Sequence, residues 1–448
     1  MTIFLASRRD GLGERLRSLV NAFALSQASQ SDFKFFWPLM SKELGVGHAV
    51  RDIQNTFSGN FITSYSVDRA FMRNSDIIKL EEWDKLDDET KSKDWIVNVS
   101  QVDLKRQAPE FMGKFENRIN FRESFLEIGL SSSLKDAIEL AKSVDIGLSP
   151  VAVHLRAGDI IFGRFRLADR YHGKVVSLPI AEDFVKRCVT KGCRVVLFGE
   201  DESSIRYLSS RFDIIEASTL SKGYNFDVPQ QAIFEMYLLS RCNQALAGSS
   251  GFASFASLIG GTKILNPKRF VSHELYVDLV YNFLEDGAAD VPDLVTAFAC
   301  RSACTFSNEH VPSSKNLIYL MKKASELDPN NAYYKLILAI IDYQNGRREQ
   351  AERSLYQMIN DSNLLNALIS FVLTRKTPSG GLFCGDALTE LQKYSSSENP
   401  MAALYLAVSS NALGNADAAG RFFAIHAENC PKDWQNACSA ILTSYNLQ

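Results

Sequence analysis

The N-terminal two thirds of the chain alternates between short apolar runs and longer segments in which apolar residues recur every three or four positions. The short runs predict strands and the longer segments predict helices. Alternating strands and helices predict parallel sheets with helices on both faces, and therefore an α/β fold. The predicted strands are Thr2–Ala6, Phe33–Trp37, Trp95–Val99, Val151–Leu155, Arg194–Phe198, Ile214–Ala217 and Gln244–Ala247. The predicted helices are Leu12–Gln27, Leu134–Ser143, Ala181–Lys191, Ser203–Phe212, Gln231–Arg241 and Gly251–Leu258.

The alternating pattern divides near Gly147-Leu148-Ser149-Pro150, where glycine and proline are typical of a linker. We therefore predict two Rossmann-like domains, over residues 1–148 and 149–300. Two such halves with a cleft between them are a common plan of nucleotide-sugar enzymes. Ligands of these sheets bind beyond the carboxyl ends of the strands.

The C-terminal third carries an internal repeat. Ala339, Gly346 and Ala351 have the same spacing as a second set of small residues, Ala407, Gly414 and Ala419. The two sets lie twice a period of about 34 residues apart, which resembles the tetratricopeptide repeat. We predict an all-α repeat domain over residues 308–448, with a generic helical bundle as the alternative. Stacked helix pairs leave a surface for partners, and about half of Tyr333, Tyr334, Tyr343 and Tyr405 are expected to line it.

Composition narrows the classes of protein to which the chain can belong. Hydrophobic residues make up 46% of its 448 residues and charged residues 23%, as in ordinary globular proteins. The net charge of −3 argues against non-specific nucleic-acid binding. The apolar runs are shorter than the ~20 residues that span a bilayer, and the N-terminal run is too short for a signal peptide. We expect a cytoplasmic protein, with the periphery of the inner membrane as the alternative.

Metal ligands are sparse in the sequence. The eight cysteines are scattered, which does not indicate a disulfide scaffold. Cys300, Cys304 and His310 have part of the spacing of a zinc site, but a second pair of ligands is missing. No Asp-x-Asp pair follows a predicted strand. We therefore expect neither a metal nor a cofactor.

The strongest chemical signal is a predicted strand that ends in histidine, arginine, glycine and aspartate. His154 and Arg156 are two residues apart and therefore point to the same face of the strand. Arginine offers a planar fork of donors that suits a phosphate. Asp159 is placed to accept a hydrogen bond from a ligand hydroxyl or to hold Arg156. An ion pair that only pins the loop is the alternative.

The segment after the first predicted strand is rich in glycine. Gly11 and Gly13 allow a ligand to approach the backbone closely. Arg15 is placed to reach the same ligand if it is an anion. Glu14 is a candidate general base, and equally an acidic residue that favours the first turn of a helix.

Two later segments place polar residues where a strand is followed by a helix. Glu200 and Asp201 are candidate hydrogen-bond acceptors for a ligand, or acids that cap the next helix. Ser249, Ser250 and Phe252 begin a helix whose first N–H groups form an anion site. Capping of that helix by Ser250 is compatible with anion binding.

These segments resemble the motifs of the fucosyltransferase superfamily, which includes bacterial α1,2- and α1,6-fucosyltransferases, nodulation-factor fucosyltransferases and protein O-fucosyltransferases. His154-Leu-Arg-Ala-Gly-Asp159 is similar to the family's first motif, H-x-R-R-G-D, with Ala157 in place of the second arginine. Gly11-Leu-Gly-Glu-Arg-Leu16 is similar to the G-x-G-N-R-L opening of bacterial members, with Glu14 in place of asparagine. The segments at Glu200 and Ser249 stand where the second and third motifs are expected.

The resemblance implies a GT-B-like pair of Rossmann-like domains and an inverting, metal-independent transfer of a sugar. The donor is expected to be GDP-fucose, with Arg156 at its β-phosphate, and the acceptor a hydroxyl of a glycan or polypeptide in polysaccharide biosynthesis. Asp159 and Glu14 are candidate catalytic bases. The helical repeats are expected to bind a protein partner or a second copy of the chain. The alternatives are a non-catalytic nucleotide-binding adaptor and a transferase that uses another nucleotide sugar.

Overall fold

The computed structural model describes residues 2–39, 50–286, 288–307, 309–377 and 379–444. The chain divides into two compact units. The described parts of Met1–His154, Val185–Phe198 and Ser209–Asn266 form the first unit. The described parts of Leu155–Phe184, Gly199–Leu208 and Pro267–Gln448 form the second unit. The domain boundaries expected after residues 148 and 300 stay predictions.

The first sheet has four parallel strands in the order β2-β1-β4-β3. Phe4 in β1 pairs with Phe33 in β2 and with Val97 in β4, which places their apolar side chains in one row across the sheet. All three side chains are buried. The strands are β1 (Thr2–Ala6), β2 (Asp32–Phe35), β3 (Ile77–Lys79) and β4 (Trp95–Val99).

The second sheet has five strands, which are β5 (Val151–Leu155), β6 (Val195–Gly199), β7 (Ile215–Glu216), β8 (Gln244–Ala247) and β9 (Lys263–Leu265). Their order is β7-β6-β5-β8-β9, with β5 at the centre, and β8 runs parallel to both β5 and β9. Every residue of β5 is buried, as expected for a strand covered on both faces. The predicted α/β fold with parallel sheets is confirmed.

Helices cover both sheets and connect their strands. Each predicted helix is present, with its ends shifted by a few residues. The helices before β5 are α1 (Leu12–Ser29), α2 (Ile53–Thr56), α3 (Gly59–Tyr65), α4 (Arg69–Asn74), α5 (Leu80–Trp83), α6 (Asp88–Lys91), α7 (Leu104–Gln107), α8 (Pro109–Phe115), α9 (Phe121–Glu127) and α10 (Ser132–Ser143). The next are α11 (Gly158–Ile161), α12 (Leu178–Thr190), α13 (Glu202–Arg211), α14 (Val228–Leu239), α15 (Gly251–Gly260), α16 (Pro267–Phe270), α17 (His273–Asp286) and α18 (Asp293–Phe306).

The C-terminal third is helical, as predicted. Its helices are α19 (Lys315–Leu327), α20 (Ala332–Gln344), α21 (Arg348–Asn360), α22 (Ser362–Ala367), α23 (Gly385–Gln392), α24 (Pro400–Leu413), α25 (Ala416–Asn429) and α26 (Lys432–Ser444). Gly346, between α20 and α21, and Gly414, between α24 and α25, have φ angles of 72° and 82°, which favour glycine. The small residues of the repeat are all buried: Ala339, Ala351, Ala407 and Ala419. The tetratricopeptide assignment itself stays a prediction.

The aromatic residues expected to line a partner surface are instead part of the core. Tyr333, Tyr334, Tyr343 and Tyr405 are all buried, because their rings fill the space between neighbouring helices. The expectation that about half of them are exposed is therefore wrong. None of the described helices combines the length and the apolar character that crossing a membrane requires.

Candidate functional site

The first turns of α1 and α15 approach each other at two glycines of the first unit. A Cβ atom on Gly13 would lie 2.7 Å from the carbonyl carbon and oxygen of Gly251. A Cβ atom on Gly251 would lie 2.7 Å from the side-chain carbons of Glu14. Neither position has room for a side chain. Two helix N-termini, each the positive end of a helix dipole, therefore lie next to each other.

Glu14 lies at the contact between these two helix ends. Its carboxylate packs against Gly251, and its Oε2 atom is 3.8 Å from Nη1 of Arg17. A carboxylate is stabilised at a helix N-terminus. The geometry thus favours the interpretation of Glu14 as an acidic residue of the first helical turn, and its role as a general base stays a prediction.

Two of the predicted donor-binding residues come together at the end of β5. The imidazole ring of His154 stacks on the ring of Phe252, with centroids 4.9 Å apart and planes 3° apart. Ser250 is buried, and its Oγ atom accepts a hydrogen bond of 3.2 Å from the N–H of Phe252. Ser250 therefore caps α15, while Ser249 beside it is exposed. The predicted binding of phosphate here stays a prediction.

Arg15 holds backbone rather than facing a ligand. Its Nε atom donates to the carbonyl of Asp10 at 2.7 Å, and its Nη1 atom donates to the carbonyl of Pro38 at 2.7 Å. Burial lowers the pKa of Arg15 to about 10, although nearby Asp10 opposes this effect. The carbonyl of Gly11 accepts from the N–H of Arg15 at 3.1 Å and starts α1. The Arg15 side chain therefore holds the loop after β1 and the loop after β2 in place.

In the second unit, Arg156 follows the last residue of β5 and forms an ion pair with Asp159. The Arg156 Nη2 atom lies 2.9 Å from Asp159 Oδ1. Both side chains are partly exposed, by 23% and 18%. Arg156 Nε is buried, and within the described parts of the chain it has no hydrogen-bond partner. Asp159 therefore orients the guanidinium and leaves it a donor for a further acceptor.

The two acidic residues after β6 have different surroundings. Gly158 has a φ of +27°, and a Cβ atom there would lie 2.6 Å from Oε2 of Glu200, so the Glu200 carboxylate lies against the loop that carries Arg156. Glu200 is exposed. Asp201 is buried, and it accepts hydrogen bonds from the N–H of Ser203 at 3.1 Å and from the hydroxyls of Ser203 and Ser204. Asp201 therefore caps α13, which is the second of the two roles predicted for it. Glu200 remains a candidate for contact with a nucleobase.

A buried charged network of the second unit was not predicted from the sequence. Arg301 is fully buried, and its Nε atom donates to Asp169 Oδ1 at 3.0 Å. The hydroxyl of Tyr333 donates to Asp169 Oδ2 at 2.7 Å. Burial alone would raise the pKa of Asp169, but Arg301 and His310 hold it well below its usual range. The sequence offers no signal for this network, because its members lie far apart in the chain.

The segment just after the Arg156 motif is anchored by C-terminal helices of the same unit. Arg166 Nε donates to Asp328 Oδ2 at 3.0 Å. The thiol of Cys384 donates to the carbonyl of Leu167 at 3.3 Å. Together with the bond between Tyr333 and Asp169, these contacts hold the chain that leads away from Arg156 and Asp159.

His310 belongs to this network. Its Nδ1 atom is 3.4 Å from Asp169 Oδ2, and its Nε2 atom is 3.4 Å from Asp386 Oδ2. Burial raises the pKa of Cys300 to about 12 and that of Cys304 to about 11, so both thiols keep their protons.

We expect the substitution Gly13→Ala to destabilise the chain by about 1–3 kcal/mol, because the new methyl group would overlap the backbone of Gly251. Gly113→Ala is the matched control: Gly113 lies in α8, and an added Cβ atom there has nothing within 4 Å. That variant should be as stable as the wild type or more stable, since alanine favours a helix. Urea denaturation measures both, and equal stability of the two variants would contradict the proposed contact.

Comparison with known proteins finds similar solved structures. No protein-family model matches the chain, and a search of curated proteins gave no match. Among the solved structures similar to the chain are fucosyltransferases, the family whose motifs the sequence resembles. NodZ from Bradyrhizobium has 18% sequence identity over 57% of this chain and 91% of its own, with a TM-score of 0.34.

Two further similar structures were determined with GDP. A mutant of FUT1 from Arabidopsis thaliana has 10% identity over 59% of this chain and 69% of its own, with a TM-score of 0.38. POFUT1 has 10% identity over 58% of this chain and 96% of its own, with a TM-score of 0.31.

Proposed function

We propose that the chain is an inverting, metal-independent glycosyltransferase that moves a sugar from a nucleotide diphosphate to a hydroxyl of a glycan or polypeptide. GDP-fucose is the donor we favour, because His154, Arg156 and Asp159 match the first fucosyltransferase motif. One observation carries the proposal. Arg156 stands at the carboxyl end of the central strand β5, where Asp159 orients it and the partly exposed guanidinium keeps N–H donors beyond the one bound to Asp159.

In the proposed reaction, the acceptor oxygen attacks the anomeric carbon while the bond from that carbon to the diphosphate oxygen breaks. Negative charge builds up on the departing diphosphate, and Arg156 stabilises it. The proton of the acceptor hydroxyl passes to a carboxylate. Asp159 and Glu14 are the candidates.

The remaining parts of the proposal concern domain architecture. Residues 1–148 and 149–300 would form a GT-B-like pair, which is supported by one parallel sheet in each range. Residues 308–448 would form a tetratricopeptide-like domain, supported by the spacing of buried alanines and of glycines with positive φ. Because the repeat tyrosines are buried, a protein partner or second copy would bind other side chains of these helices.

A panel of nucleotides tests the donor assignment. The melting temperature of the purified chain is measured with GDP, UDP and CMP, and transfer is measured with the matching nucleotide sugars. Stabilisation by GDP together with transfer from GDP-fucose is the expected result. Stabilisation by GDP without any transfer or donor hydrolysis would favour an adaptor, and stabilisation by UDP or CMP alone would favour another donor.

We expect transfer to be insensitive to EDTA and not to rise with added Mg²⁺ or Mn²⁺, because the proposed charge stabilisation depends on Arg156 rather than on a cation. Initial rates with and without chelator measure this. A loss of activity with EDTA that added Mg²⁺ or Mn²⁺ restores would contradict the proposed metal-independent mechanism.

A further inference from the structure

A buried group of soft donor atoms lies among the C-terminal helices of the second unit. It consists of His426, Cys430 and Cys438, whose ligand atoms all lie within 4.8 Å of one another. The three residues are 2%, 7% and 0% exposed. Around zinc, with bonds of ~2.3 Å to sulfur, two thiolates stand roughly 3.8 Å apart. The observed spacing is thus close to that of a metal site.

The local sequence explains how the three residues meet. His426 lies in the last turn of α25, and the N–H of Cys430 donates to its carbonyl at 2.8 Å, which ends the helix. Pro431 prevents the helix from continuing, and α26 begins at Lys432. The turn returns the chain so that Cys438, in α26, reaches the end of α25.

The ring of His426 is held in the orientation that a metal ligand needs. Its Nδ1 atom is 2.9 Å from the carbonyl oxygen of Pro400 in α24. A carbonyl oxygen only accepts hydrogen bonds, so Nδ1 carries a proton, and Nε2 is the nitrogen that can bind a cation once it is deprotonated. A backbone carbonyl that fixes the imidazole in this way is the usual partner of a metal-binding histidine.

The thioether sulfur of Met401 lies 3.9 Å from the Cys438 sulfur and adds a fourth soft atom.

We propose that His426, Cys430 and Cys438 bind a thiophilic closed-shell cation, Zn²⁺ or Cu⁺. Thiolate and imidazole ligands suit both ions, and a nearby thioether favours Cu⁺. On binding, the two sulfur atoms and Nε2 of His426 release to the solvent whatever protons they carry. The cation would join α25 and α26, while Pro400 and Met401 connect the site to α24. This site is independent of the proposed transferase function.

The test uses the full chain, reduced and stripped of metal by chelation and gel filtration. Zn²⁺ and, under anaerobic conditions, Cu⁺ are titrated in separate arms, and native mass spectrometry counts the bound ions. Co²⁺ then serves as a spectroscopic probe, since thiolate-to-cobalt charge-transfer bands report thiolate ligation in the wild-type chain itself. We expect one ion per chain, the charge-transfer bands and a rise in melting temperature.

Variants assign the ligands. Cys430→Ser, Cys438→Ser and His426→Gln should each abolish stoichiometric binding, whereas Cys193→Ser, in a different part of the chain, should bind as the wild type does. If a cysteine variant does not fold, protection from alkylation in the wild type decides: added metal should slow labelling of Cys430 and Cys438. Absence of binding by the wild type, binding that survives these substitutions, or a disulfide between Cys430 and Cys438 in the freshly purified chain would overturn the proposal.

Discussion

Replacement of Arg156 by lysine is expected to reduce sugar transfer by ~10²-fold or more, the scale of losing one donor that stabilises charge in a transition state. Lysine keeps the positive charge but loses the planar fork. In the wild type, one arm of that fork is bound to Asp159 Oδ1 at 2.9 Å, and the guanidinium keeps further N–H donors for an acceptor. An ammonium group cannot satisfy Asp159 and a phosphate oxygen in the same geometry. Most of the loss should therefore be in kcat.

Steady-state kinetics with GDP-fucose, together with melting curves, test this prediction. Arg164→Lys is the matched control, because Arg164 is an exposed arginine that follows soon after the motif. It should leave transfer unchanged. Wild-type turnover in Arg156→Lys, with a normal melting temperature, would remove Arg156 from the proposed mechanism.

Asp159→Asn separates the two roles that Asp159 can have. The amide oxygen of asparagine still accepts a hydrogen bond from Arg156, but the side chain no longer takes up a proton. If Asp159 only orients Arg156, kcat falls little and its pH profile keeps its shape. If it is the base, kcat falls strongly and the acidic limb of the profile disappears.

Most of the fold follows from the hydrophobic pattern because its strands are long enough to show it. Trp95–Val99, Val151–Leu155 and Gln244–Ala247 have the bounds that the sequence predicts. β3 and β9 were not predicted, since each has only three residues and depends on pairing with β4 and β8. A strand this short is defined by its neighbours in the sheet and not by its own sequence.

The candidate site was predicted in part. The motif pattern placed His154 near the end of a strand and Phe252 in the first turn of a helix, as the structure has them. The rings of these two residues stack on each other. It could not separate ligand contacts from structural ones. Arg15 and Asp201 look equally suited to a ligand in the sequence, but they bind backbone carbonyls and the first turn of α13, respectively. Polar residues serve both purposes with the same chemistry, and only the three-dimensional neighbours decide between them.

The second large effect is expected from Arg301→Met, which should lower the free energy of unfolding by about 3–5 kcal/mol, the cost of leaving a buried charge without its partner. Arg301 is fully buried and donates to both carboxylate oxygens of Asp169. The substitution would leave that carboxylate with the weaker support of Tyr333 and His310. Tyr333→Phe is the control: it removes one hydrogen bond and should cost about 1–3 kcal/mol.

The pH dependence of stability gives a second readout of the same pair. The pKa of Asp169 lies well below its usual range in the folded chain. Its stabilising contribution is therefore present above the ordinary carboxyl pKa of about 3.9 and is lost as the pH falls below that value. In Arg301→Met this part of the acid dependence should be reduced, because the pKa of Asp169 is no longer held down by the guanidinium.

A double variant decides whether the pair as such is needed. Asp169→Leu combined with Arg301→Met removes both charges, and it should recover much of the stability lost in Arg301→Met, because no unpaired charge then remains buried. Urea denaturation of the two single variants and the double variant gives the coupling energy directly. Independent, additive effects would show that Asp169 and Arg301 do not act as a pair. The pair can also position the chain that follows Asp159. In that case the double variant should regain stability but still bind GDP more weakly than the wild type, because it lacks the hydrogen bond between Asp169 and Tyr333.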